Sequence, residues 1–477
     1  MRMRLPISFA RPRSNTAETH ARASSGTGTT RLTVGTRFAH TLLCFALLTS
    51  SFDLTLVLNI GGTLRATQLA FALAAGAGLL LVLQRGEFRM PAGYSALLIW
   101  GILQTTVVPF SVFLPKGIAY NAWLWVTILS LGYATQLYTR PALVHRLIHF
   151  YLISFIPIAI FGMYQFMAPL FGLPDFFVGQ WWFYPKLARI NGFSYEPSYF
   201  ATYMLLGWVM LLDLIQRKHP RYSTRPWRMV FALESIVMIL SSSRSAWIFM
   251  SLECVVRFGP AAMRRIWIHV QRLRYGRWRL SKLQLLAVPV LVLLAFITPH
   301  LGQIVQDYDL LFLLQGTGIG GTAAHSVSDR SNGVLYALRV FLHNPLLGCS
   351  LGGVSGNIAQ LQGTIPKSIE DSKLYEATAI FPEVLAASGL IGFIPFCIFV
   401  YQTTWLPLRR SAFIRGLPFS MELHALARAM IFEWLILQAS QNILRPYVWL
   451  HITVVCIVMA QAKPKAQVGA ATQPIAA

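Results

Sequence analysis

An arginine and a glutamate stand seven residues apart in Arg189-Ile190-Asn191-Gly192-Phe193-Ser194-Tyr195-Glu196-Pro197-Ser198, a loop wedged between two long apolar runs. Arginine stays charged in a partly dry pocket, and its planar fork matches phosphate oxygens. A carboxylate beside it can accept a proton or orient a hydroxyl. Tyr195, Tyr199 and Tyr203 follow at once, so the loop has the makings of a site for a polar, anionic substrate. Glu196 equally suits the role of ion-pair partner to Arg189.

Four more features carry unusual charge. Arg244 stands at the apex of Ser241-Ser242-Ser243-Arg244-Ser245, between apolar runs. A charge at membrane depth costs several kcal/mol unless water or a partner satisfies it, so Arg244 is expected to face a cavity rather than to snorkel. Asp329-Arg330, Arg339 and His343 accompany a helical pattern of Val334, Leu335, Leu338, Phe341 and Leu342. Nine residues set Arg330 and Arg339 roughly 180° apart on one helix. Arg330 is therefore read as the ligand group ahead of the helix, with Ser328 or Asp329 as its cap, and Arg339 as either a site residue or a solvated one. His343 suits the negative end of the helix dipole, though an imidazole is also a proton acceptor. His325 closes the glycine-rich stretch Gly316 to Ala324, which matches GxGxxG but follows no β-strand, so a hinge is the better reading. Arg445 lies in a short turn near the end of the chain and reads as a site residue or an anchor. Glu234, Glu253, Glu383 and Glu433 fall inside apolar runs and require partners, protons or water. Glu234 and Glu253 are expected to pair with arginines of the inner half, and Glu383 to border the site.

The elements that position these groups follow from composition. The chain has 477 residues, 55% hydrophobic and only 12% charged, with mean hydropathy +0.55. Such a chain cannot expose its surface to water, which makes it an all-α polytopic membrane protein. Its net charge of +23 would suggest nucleic acid in a soluble protein. Here the basic residues collect in a few loops, and no nucleic-acid partner is expected. Five cysteines show no CxxC or Cys/His spacing. Cys44, Cys254, Cys397 and Cys456 read as core, Cys349 as a lone thiol in an outer loop, and no metal or cofactor is expected.

Apolar runs fall near 38–57, 64–84, 92–113, 118–138, 147–171, 198–216, 228–241, 245–258, 283–299, 377–405, 424–441 and 446–463, roughly twelve transmembrane helices. Residues 1–37, arginine-rich and without an apolar core, read as a disordered cytoplasmic tail before an uncleaved signal anchor. Residues 38–463 form the bundle and 464–477 a second cytoplasmic tail. With both termini inside, the basic loops 217–228, 257–282 and 406–423 fall on the cytoplasmic side of a bacterial inner membrane. The other side receives the 172–197 loop, the Ser241–Ser245 turn, and a large helical loop, 300–376, between the ninth and tenth helices. That loop is too long for a connector and is expected to form a periplasmic lid.

Three stretches, in this order and on this side, resemble the O-antigen polymerase and O-antigen ligase superfamily of bacterial inner-membrane enzymes. Arg189 through Ser198 is similar to that family's Arg-x-x-Gly-x-x-x-Glu-Pro-Ser loop, and Ser241 through Ser245 to its Ser-x-Ser-Arg turn. Asp329-Arg330 through Asn344-Pro345-Leu346-Leu347-Gly348 is similar to its arginine, apolar helix and Asn-Pro-Leu-x-Gly ending. The resemblance implies a metal-independent glycosyltransferase that polymerises undecaprenyl-diphosphate-linked repeat units, with membrane lipids and a chain-length regulator protein as partners. Arg189, Arg244 and Arg330 would hold the departing pyrophosphate, Glu196 would take the acceptor proton or orient the acceptor, and His325 is a second candidate base. Arg339, His343, Tyr195 and Arg445 would contact substrate. The runner-up is the ligase that moves finished glycan onto lipid A core. The His-Asn pair that many members carry before the tenth helix is replaced here by Glu376-Ala377-Thr378-Ala379-Ile380-Phe381-Pro382-Glu383, which counts against the ligase. A transporter or flippase would need polar breaks near the midplane and little extramembrane structure, so an enzyme is favoured.

Overall fold

The structure, a computed structural model, describes residues 34–59, 63–274, 323–413, 417–438 and 443–462. The basic tail up to residue 33, the apolar run 283–299, the Gly316–Gly321 stretch and the second tail lie outside the described residues. The fold is all-α. Helices α1 (Val34–Leu48), α2 (Ala66–Arg85), α3 (Tyr94–Val107), α4 (Leu114–Ala134), α5 (Pro141–Met167), α6 (Pro197–Gln216), α7 (Arg225–Leu240) and α8 (Arg244–Arg274) come first. After the break follow α9 (Ala323–His343), α10 (Gly353–Leu361), α11 (Ile369–Ser372), α12 (Ile380–Val400), α13 (Leu406–Phe413), α14 (Ser420–Ile436) and α15 (Pro446–Gln461). The strands among the described residues form two short antiparallel hairpins, Val57–Asn59 with Thr63–Arg65 and Trp181–Phe183 with Leu187–Ala188.

Among the described residues five helices are long and apolar enough to cross a membrane: Ala66–Arg85, Pro141–Phe171, Pro197–Gln216, Arg244–Arg265 and Ile380–Phe413. Proline at the first turn of α4, α5, α6, α7 and α15 marks where these runs begin, because its missing N–H costs nothing there.

Four sequence expectations change. The first apolar run is helical only to Leu48. The Thr49 and Ser50 hydroxyls bond back to the Phe45 and Leu47 carbonyls, and Asp53 and Leu54 donate their N–H groups to Phe193 O, so the chain leaves the helix to dock on the 189–198 loop. Helix α8 runs on to Arg274, so Arg257, Arg264 and Arg265 lie on a helix rather than in a turn. Helix α9 starts at Ala323 rather than after Arg330, so the Ser328 and Asp329 cap signals lie inside a continuous helix. Of the four cysteines expected in the core, Cys397 is exposed and Cys254 half-buried, whereas Cys349 is buried.

The Asn344-Pro345-Leu346-Leu347-Gly348 ending has a specific task. Helix α12 is broken at Gly389, which sits at φ 56° and ψ −171°. Leu390 and Ile391 donate instead to the carbonyls of Pro345 and Leu346, while Cys349 and Ser350 donate to Ala386 and Ala387. Backbone freed by a break inside an apolar bundle must find such partners. Gln104 of α3 secures the junction by accepting from Leu351 N at 2.9 Å and donating to Ser388 Oγ at 2.8 Å.

At the opposite end, α6, α8 and α14 are bound by a buried ion network. Asp213 accepts from Arg217 (2.9 Å), Arg257 (3.0 Å) and His424 (2.9 Å). Glu253 takes Arg257 (2.5 Å) and Arg428 (2.7 Å). The expectation for Glu253 is thus met. Glu234 differs: both its oxygens are buried without a hydrogen-bond partner among the described residues, as are those of Glu433.

Candidate functional site

The 189–198 loop is held from beneath. Gln165 of α5 accepts from the N–H groups of Asn191 (3.3 Å) and Gly192 (2.7 Å), and Asn191 donates its side-chain amide to the carbonyls of Phe177 (2.9 Å) and Ser194 (2.6 Å). Gly192 takes φ 57°, where a side chain would strain the turn and meet the Phe200 ring. Ser194 Oγ donates to Ser51 O, tying the loop to the end of α1.

Arg189 leaves this loop and reaches the serine turn. Its Nε donates to Ser242 Oγ at 2.6 Å, a terminal nitrogen to Ser242 O at 3.2 Å, and the other to Gln180 Oε1 at 2.6 Å. All three partners are neutral, so the guanidinium charge is left uncompensated. Burial and then the neighbouring Arg244 lower its pKa, with Glu196 acting in the opposite sense. Two arginines therefore stand close together at one end of the bundle. Arg244 opens α8, is half-buried, and makes no hydrogen bond or ion pair among the described residues. Glu196 is not ion-paired with Arg189 either: its carboxylate accepts from Ser198 Oγ at 3.0 Å. Tyr195 is 49% exposed beside it.

A second group of charges adjoins the first through Tyr199, which follows Glu196 by three residues. Arg445 lies 4.1 Å from the Tyr199 ring centroid and donates to both oxygens of Asp53, at 3.2 and 3.1 Å. Asp53 also holds Arg65 at 2.9 Å. Burial alone would lower the Arg445 pKa, but Asp53, Tyr199 and Tyr447 raise it above its ordinary value. Arg445 is thus an internal clamp on Asp53, a carboxylate it shares with Arg65, whereas Arg189 and Arg244 hold no carboxylate among the described residues.

Lys116, the buried third cation of this group, donates to Glu376 Oε1 at 2.8 Å and to Ser372 O at 3.4 Å. Tyr120 donates to the same Oε1 at 2.6 Å. Burial pushes the Glu376 carboxyl up, yet Lys116, the Tyr120 hydroxyl and Arg445 outweigh it and hold it below its ordinary value. Glu383, buried on the first turn of α12, lies within electrostatic reach of Glu376 and Lys116, bordering the site.

Among the described side chains the structure brings together Arg189, Arg244, Glu196, Tyr195 and Arg445, but not Arg339 and His343. Arg339 is exposed and packs over Tyr336 at 5.6 Å, and His343 donates Nδ1–H to Arg339 O at 2.8 Å, satisfying the helix end. Arg330 and His325 both fall within α9; their side chains lie outside the described residues. The sequence reading missed Asp53, Arg65, Lys116, Tyr120 and the role of Glu376. Asp53 and Lys116 carried a usable signal, being lone charges within or beside apolar runs, the criterion that singled out Arg244. Among the described residues no three His, Cys, Asp or Glu side chains group as metal ligands. No known family model matches the chain, and a search of curated proteins finds no match.

Proposed function

We propose that this is a membrane glycosyltransferase polymerising undecaprenyl-diphosphate-linked oligosaccharides at the periplasmic face of a bacterial inner membrane. One observation carries the reading: Arg189 and Arg244, adjacent and without an ion partner among the described residues, form a site of excess positive charge with Glu196 the described carboxylate that acts on Arg189. Preorganised positive charge where a diphosphate departs stabilises the transition state, and no charge need be recruited during the reaction. The rest of the account follows from topology. Roughly twelve spans with both termini inside would put the Arg217, Arg257, Arg409 and Arg410 end in the cytoplasm and the site outside. The 300–376 segment, docked on α12 through residues 345–350, would serve as a periplasmic cover over the site. The donor sugar would lie between the arginines and Glu376, with Glu196 and Tyr195 orienting the glycan.

Ligation onto lipid A core shares donor and leaving group. The replacement of the family's His-Asn pair by a stretch beginning with Glu376 favours polymerisation. Reconstitution in proteoliposomes with lipid-linked repeat units, with and without lipid A core, separates the readings. Extension without core supports the polymerase, transfer to core alone supports the ligase, and movement of substrate without new glycosidic bonds supports a flippase.

A further inference from the structure

We infer that Glu376 is the base that takes the proton of the attacking acceptor hydroxyl, an assignment that rests on the glycosyl-transfer reading above. Its two oxygens have different surroundings. Oε1 is fixed by Lys116 at 2.8 Å and Tyr120 at 2.6 Å, donors carried on one turn of α4. Oε2 makes no hydrogen bond among the described residues and is not buried, and the side chain as a whole is 26% exposed. A carboxylate anchored by one oxygen and open at the other is oriented to receive a hydroxyl.

Position separates it from Glu196. For in-line displacement the hydroxyl attacks opposite the leaving group, so the base belongs across the sugar from the arginines that hold the diphosphate. Glu196 is on the arginine side, where its charge acts directly on Arg189. Glu376 stands with Lys116, Tyr120 and Arg445 and is not among the charges that act on Arg189. The groups facing it are Lys116 and Tyr120 from α4, Tyr199 from α6, Glu383 from α12, and Arg445.

In the step, the acceptor oxygen bonds to the anomeric carbon as the bond from that carbon to the diphosphate oxygen breaks. The bonding pair leaves with the diphosphate, between Arg189 and Arg244. The hydroxyl proton passes to Oε2 of Glu376 and then to solvent. Lys116 and Tyr120 act as positioning residues: they aim the carboxylate and keep it ionised.

The test is chain extension in proteoliposomes as a function of pH for wild type, Glu376→Gln, Glu196→Gln, Lys116→Met and Tyr120→Phe, with binding of a polyprenyl diphosphate to each variant as the check on folding. Glu376→Gln should lose turnover by about 100-fold or more, the scale of general-base catalysis, while diphosphate affinity stays within about twofold, the donor contacts being untouched. Glu196→Gln, at a residue that orients the glycan, should lower turnover but leave the acid limb of the rate profile where it is in wild type. Lys116→Met leaves the carboxylate buried without its cation, so the acid limb of the rate profile should move up in pH. Tyr120→Phe should move it the same way by less, and carries this arm if Lys116→Met fails to bind. Glu376→Gln turning over like wild type, or an acid limb unmoved in both α4 variants, overturns the assignment alone. Wild-type protein that binds diphosphate but forms no glycosidic bond overturns the transfer reading and this base with it.

Discussion

Replacing Glu253 by alanine should destabilise the bundle at the end remote from the site. Glu253 is fully buried and serves two arginines: Arg257 donates through Nε at 2.7 Å and a terminal nitrogen at 2.5 Å, and Arg428 through Nε at 2.7 Å and a terminal nitrogen at 2.8 Å. Removing one member of a buried pair costs about 3–5 kcal/mol, because the charge left behind has lost its water and its partner. Here the lower end applies. Arg428 is 21% exposed and can rehydrate, and Arg257, at 5%, keeps Asp213 at 3.0 Å and a short bond to Gln216. A loss of about 3 kcal/mol is a factor of roughly 150 in the folded-to-unfolded ratio. Thermal unfolding of the detergent-solubilised protein, followed by tryptophan fluorescence, should show a melting temperature several degrees lower. Arg428→Met should cost less, since the carboxylate retains Arg257, and the pair Glu253→Leu/Arg428→Met should recover part of the loss. Glu253→Ala melting within about 1 °C of wild type would refute the claim that this network ties α6, α8 and α14 together.

Gly389→Ala should unseat the 345–350 segment. Gly389 has positive φ, and a Cβ would run into the Leu346 backbone carbonyl, so a loss of about 3 kcal/mol or more is expected in the same melt; a melt like that of wild type would mean the break is not fixed by this contact. Glu376 also predicts a pH dependence of stability. Its carboxyl is held below the ordinary 4.5, so its contribution is fully present above that value and lost as pH falls through the lower folded value. Lys116→Met should therefore flatten the fall in melting temperature below about pH 4.5, and an unchanged profile would show that the pair does not stabilise the fold.

Much of the scaffold is legible in the sequence. Each of the eleven apolar runs among the described residues contains a helix, and proline marks where several of them begin. The meeting of Arg189 with the serine turn follows from two loops sharing one end of a bundle. What escaped depends on partners remote in sequence. Lys116 and Glu376 are 260 residues apart and Asp53 and Arg445 392 apart, and no local pattern announces either pair. Ala386-Ala387-Ser388-Gly389 reads as ordinary apolar helix, and only the docked carbonyls of Pro345 and Leu346 make a break there stable. The start of α9 was misplaced for the opposite reason. Serine and aspartate are strong caps, but here Ser328 and Asp329 sit inside a helix that begins further upstream.

The uncompensated arginine pair is the centre of the account, and diphosphate affinity measures it most directly. Purified protein in nanodiscs should bind a polyprenyl diphosphate more tightly than the matching monophosphate, with affinity falling as salt rises. One charge-assisted contact is worth about 1.5–3 kcal/mol, so Arg244→Ala should weaken diphosphate binding roughly 10- to 150-fold. Arg445→Met should weaken it far less, because Arg445 is already bound to both oxygens of Asp53. Equal affinity of wild type and Arg244→Ala for the diphosphate would contradict the account at its root.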